Sequence, residues 1–86
     1  MLRSVNIAYY RKEDWIRFLK SIDDRKSMHD TWEEWHAAFL NTKKELILNG
    51  FIVKDVIIEI EELKEYCRKK GIKNDGKARF TFVSGR

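Results

Sequence analysis

The sequence has no proline, one cysteine and only four glycines, at positions 50, 71, 76 and 85. Glycines this sparse read as punctuation between elements, not as a flexible linker. The single cysteine, Cys67, excludes an internal disulfide and a cysteine-rich zinc site. A small chain without disulfide staples fits a reducing cytosol. No apolar run approaches the roughly 18 residues needed to span a membrane. The opening "MLRSVNIAYYRKEDW" lacks the long apolar core of a signal peptide. The expectation is a soluble cytoplasmic protein with no membrane partner.

Chemistry-bearing patterns are also scarce. There is no phosphate-cradling glycine loop, no spaced nucleophile, base and orienting group, and no prominent carboxylate pair. No catalytic residue and no cofactor is assigned, so the expectation is non-enzymatic. Internal repeats and low-complexity stretches are absent as well.

What remains is a chain of 86 residues that is 43% hydrophobic, with three Trp, three Tyr and five Phe. That length makes one domain over residues 1–86, burying only about 60–65% of its unfolded surface. The apolar content is enough for a core and too high for a disordered chain of this charge. The net charge is +4 and unevenly spread: +2 over residues 1–30, −1 over 31–50, −3 over 51–66 and +6 over 67–86.

"SVNIAYY" (Ser4–Tyr10) alternates and is rich in aromatic and β-branched residues, so a strand is expected. Trp15, Phe18, Leu19 and Ile22 then fall at i, i+3, i+4 and i+7, one face of a helix. "TWEE" (Thr31–Glu34) has the form of a capping box. It opens a middle helix expected to run to about Asn49, with Gly50 as a left-handed stop. The apolar face of that helix holds Trp32, Trp35, Phe39, Leu40, Leu46 and Ile47. A β-branched run predicts a second strand over Val53–Ile60, with Val56, Ile58 and Ile60 facing one way. "EELKEYCRKK" then predicts a short helix burying Leu63, Tyr66 and Cys67, stopped by Gly71. Leu63 and Cys67 are expected to pack on the strand. Residues 76–84 admit strand or helix; Asp75 as a cap favours a short helix. The whole is an α+β domain with a two- or three-stranded sheet and three helices, in the order β-α-α-β-α plus a short C-terminal element.

"TWEEW" together with "ELKEYCRKKGIKNDGKARFTFV" resembles a group of short uncharacterised bacterial or phage-encoded proteins. The resemblance implies a bacterial setting and brings no chemistry. The β-α-α-β start of a small basic chain also has the general layout of bacterial ribosome-dependent ribonuclease toxins. Their arginine- and tyrosine-rich late strands are not evident, because an acidic strand–helix segment occupies that place.

Two surfaces compete for a partner. On the middle helix, Trp32 and Trp35 lie three apart, and His36 and Lys43 fall within the same apolar face. Tryptophans are typical interface anchors, so these four residues form a candidate protein-binding or self-association face. Near the C-terminus, Arg68, Lys69 and Lys70 close a helix that opens with Glu61 and Glu62, and the helix dipole explains them locally. Lys73, Lys77 and Arg79 lie beyond that helix, interleaved with Phe80. Backbone contact plus base stacking would suit single-stranded nucleic acid, which makes these four the alternative, nucleic-acid-binding site. His29, Glu33 and His36 would share one helical face if the helix began before Thr31; the capping box leaves His29 outside it, and no metal site is assigned. Cys67 is expected to be a core thiol.

Overall fold

The computed structural model describes residues 3–86. Strand β1 (Arg3–Tyr9) leads through a 3-10 turn (Lys12–Asp14) into helix α1 (Trp15–Ser21). A second 3-10 turn (Arg25–Ser27) precedes the long helix α2 (Trp32–Leu48). Strand β2 (Phe51–Ile57) and helices α3 (Ile60–Lys70) and α4 (Gly76–Ser84) complete the chain. The described residues are a mixture of helices and strands, with four α-helices where three and a short end element were expected.

The helix ends follow local chemistry. Thr31 is extended (φ −119°, ψ 152°), its hydroxyl accepts the Glu34 amide at 3.1 Å, and Glu34 returns to the Thr31 amide at 3.2 Å. The Asp75 carboxylate accepts the Ala78 amide at 3.0 Å, so residues 76–84 are helical. Gly71 closes α3 in the left-handed region (φ 64°), a conformation that costs glycine nothing.

β1 and β2 run parallel, pairing from Arg3 with Phe51 to Tyr9 with Ile57, as the only two strands of their sheet among the described residues. β2 is shorter than expected at its end. Ile58 still donates its amide to the Tyr9 carbonyl (2.9 Å). Beyond that rung β1 has no residue left to pair, and Glu59 turns the chain into α3. Ile60 therefore opens a helix instead of closing a strand.

Side chains alternate across the sheet. The Tyr9 ring lies 5.6 Å from Trp35 and 5.4 Å from Phe39, so the face bearing Val5, Ile7 and Tyr9 meets α2. Asn6 donates its side-chain amide to the carbonyls of Val83 (2.9 Å) and Arg86 (3.0 Å), so the opposite face meets α4. Phe18, Ile58, Ile60 and Leu63 are the fully buried large side chains, and Cys67 joins the same cluster. Val56 packs against that cluster while only partly buried. The radius of gyration, 13.2 Å, exceeds the roughly 12 Å expected for a compact chain of this length. Among the described residues no helix is long and apolar enough to cross a membrane.

Candidate protein-binding surfaces

The aromatic face of α2 is mostly interior. Trp35 is 8% exposed and centres an aromatic cluster, with Tyr10 at 5.0 Å, Phe39 at 5.1 Å and Trp15 at 5.8 Å between ring centroids. It is a core residue that offers a partner only the little surface left open on the groove beside β1. Trp32 is half-buried, and its indole N–H is consumed by the Tyr10 carbonyl at 2.8 Å. His36, also half-buried, stacks on Trp32 at 4.4 Å with the rings 13° from parallel. Lys43 snorkels to Asp55 on β2 at 3.0 Å. The four residues expected on one binding face thus divide into a core tryptophan, a half-covered Trp32–His36 stack and a lysine already paired.

The helix beginning at Trp32 leaves His29 in the preceding turn, outside the register of Glu33 and His36. Among the described residues no group of three His, Cys, Asp or Glu side chains is placed to hold a metal.

The basic end also divides. Lys73, Lys77 and Phe80 are exposed, Phe80 at 65%. Arg79 is the correction: it is 4% exposed. Its guanidinium donates to Asp24 Oδ2 (2.6 Å), to the Asn74 carbonyl (3.1 Å) and to Asn74 Oδ1 (3.2 Å), and it lies over the Phe18 ring at 5.5 Å. Helix periodicity explains the inversion. Arg79 follows Ala78 and precedes Phe82 and Val83, the buried side of α4, whereas Lys77 and Phe80 point the other way. A buried cation needs a partner, and Asp24 supplies it. Burial alone would raise the Asp24 carboxyl, but the Arg79 hydrogen bond and charge outweigh it and hold it below the ordinary carboxylate range. Tyr10, in the same interior, is pushed up to about 12 by burial, only partly offset by the Arg79 charge. Burial likewise pushes the Cys67 thiol up, with Asp75 adding to the effect.

A third surface appears only in three dimensions. A groove of about 510 Å³ runs beside β1. Val5, Asn6, Ile7 and Ala8 of β1 line it, together with Leu46 of α2 on one side and Phe80 and Val83 of α4 on the other. Met28 and His29 also line it. No local sequence signal marks it, because its parts come from four separated segments. The one hint is that residues 4–10 carry no charge.

Comparisons of the chain with protein-family models, with curated proteins and with solved structures find no match.

Proposed function

We propose that this protein is a non-enzymatic protein-interaction module whose contact surface is the groove between α2 and α4. The observation that supports it is the exposure of Phe80, 65% open to solvent at the lip of a groove lined mainly by apolar side chains. A large aromatic at the edge of an apolar recess is what a protein partner buries. Neither Trp32 nor His36 lines this groove.

Nucleic-acid contact is the second reading, favoured by exposed Lys73 and Lys77 beside Phe80. It is weakened by the loss of Arg79 to the interior. Self-association through the same groove is a third form of the first reading.

Replacing Phe80 by a photo-crosslinking phenylalanine analogue tests the choice. The expected result in cells is a discrete protein adduct at position 80 and none at the exposed control Lys20. An adduct removed by nuclease instead of protease transfers the function to nucleic acid, and a self-adduct of twice the chain mass establishes an oligomer. Equal labelling at both positions refutes the groove as a contact surface.

A further inference from the structure

We infer that the groove captures an extended peptide of another protein as a third strand on β1, a peptide apolar at alternate positions and acidic near the end that meets Lys26 and Lys77. The inference rests on the interaction-module reading and specifies its partner.

The backbone of β1 has an unpaired side among the described residues. The Ile58 amide bonds the Tyr9 carbonyl, so the polar groups of Tyr9 face β2. Alternation along a parallel ladder then turns Val5, Ile7 and Tyr9 towards β2, and Ser4, Asn6 and Ala8 away from it. Among the described residues no other backbone hydrogen bond uses the outward groups of Ser4, Asn6 or Ala8. The groove lies along this edge, with Asn6 and Ala8 in its wall. A peptide laid there completes the ladder with main-chain bonds, and its alternate side chains reach Leu46 on one side and Phe80 and Val83 on the other. This is strand addition, in which backbone bonds supply affinity and flanking pockets supply selectivity.

The two edges of the sheet differ in a way that selects one. β2 carries Lys54 and Asp55, and charge of this kind guards an edge against pairing. β1 carries none between Ser4 and Tyr9. Among the described residues near the groove, the charges left without an ion pair are Lys26 and Lys77 against Asp75, which caps α4, so the unpaired balance is cationic. Lys26 and Lys77 are exposed, adjoin the lining residues Ser27 and Gly76, and have no ion-pair partner among the described residues. Arg25 is held by Asp30, and Arg79 by Asp24. An acidic group on the peptide complements this pair.

A second copy of the chain fits the edge poorly. α4 lies against β1, whereas paired strands are about 4.8 Å apart. A second copy paired there would have to seat its own α4 and α2 beside those already flanking the edge. A lone peptide has no such helix.

The test is selection from a displayed library of random twelve-residue peptides, followed by amide NMR on the intact protein. The expected binders alternate apolar residues and carry an acid near one end. They slow hydrogen exchange at Asn6 and Ala8. Ala8→Pro deletes an amide that faces away from β2, so it should weaken binding at least tenfold with little change in melting temperature. Lys26→Glu with Lys77→Glu should weaken binding and remove most of its salt dependence. Should Ala8→Pro fail to fold, the selected peptide N-methylated at alternate amides decides the matter on the unaltered protein, with loss of binding expected. Binding that survives N-methylation, or amide shifts centred on Leu40, Ile47 and Ile52, overturns strand capture and leaves the interaction-module reading standing. A library that yields no binder overturns strand capture, and the Phe80 crosslink then judges the broader reading separately.

Discussion

Replacing Arg79 by Met deletes the guanidinium and keeps most of the apolar stem. It leaves the Asp24 carboxylate without its cation and Asn74 without two donated bonds. Breaking a buried ion pair from one side costs about 3–5 kcal/mol. Asp24 retains 18% side-chain exposure, so water recovers some of that loss and the lower figure, about 3 kcal/mol, applies. A chain of this length has a total stability of roughly 4–13 kcal/mol, so the variant loses a large share of it. In thermal unfolding the expected drop is roughly 12–24 °C. Lys77→Met, two positions away and exposed, should stay within about 0.5 kcal/mol. Urea unfolding of both variants beside the parent measures the difference. Adding Asp24→Asn to Arg79→Met removes the stranded charge and should recover about 1 kcal/mol or more. A loss under about 1 kcal/mol for Arg79→Met would refute the buried pair and return Arg79 to the basic surface. The pair also sets a pH dependence. The folded chain binds the Asp24 proton more weakly than the unfolded chain does. Its contribution is therefore complete above the ordinary carboxyl value, about pH 4, and is lost as pH falls through the lower folded-state value. The stability gap between the parent and Asp24→Asn should narrow below that pH.

Leu63 is fully buried against the core, so Leu63→Ala should cost about 2–4 kcal/mol in chemical denaturation; a cost below about 0.5 kcal/mol contradicts its packing. Thr31→Ala removes the capping box and should lose about 1 kcal/mol, seen by circular dichroism as earlier melting of α2; an unchanged melting curve would mean that Trp32 and the tertiary contacts alone fix the helix start. Cys67 is buried with its thiol pushed up, so native protein should react with a thiol reagent far more slowly than urea-unfolded protein, and equal rates would place the sulfur at the surface.

Features set by a few neighbouring residues were legible in the sequence. The Thr31 capping box, the Asp75 cap and the Gly71 stop each depend on groups within four positions. The apolar phase of α3 correctly named Leu63 and Cys67 as interior. Arg79 was misread because its partner Asp24 lies 55 residues away. A cation in a basic run looks solvated until the fold brings an acid to it. The end of β2 was misread for a related reason. Val56, Ile58 and Ile60 share a phase, but the strand stops where β1 has no further residue to pair. Trp35 shows the limit of local spacing: Trp32 and Trp35, three apart on α2, were expected on one binding face, yet Trp35 packs 5.8 Å from Trp15 inside the core.

The surface that matters most to the proposed function was the least legible, and its physical basis explains why. A parallel sheet normally has helices on both faces and further strands at its sides. Here the long excursion through α1 and α2 returns β2 alongside β1, and α3 and α4 then take the remaining apolar cover. Both faces are served by helices, and neither edge receives another strand among the described residues. Such a sheet is satisfied in its hydrophobic requirement and unsatisfied in its hydrogen-bonding direction. The unused capacity lies in backbone groups, which every sequence carries and which no side-chain pattern can announce. Side chains decide only which edge stays approachable. Lys54 and Asp55 guard β2, whereas the uncharged run from Ser4 to Tyr9, with Phe80 exposed above it, leaves β1 open to an added strand.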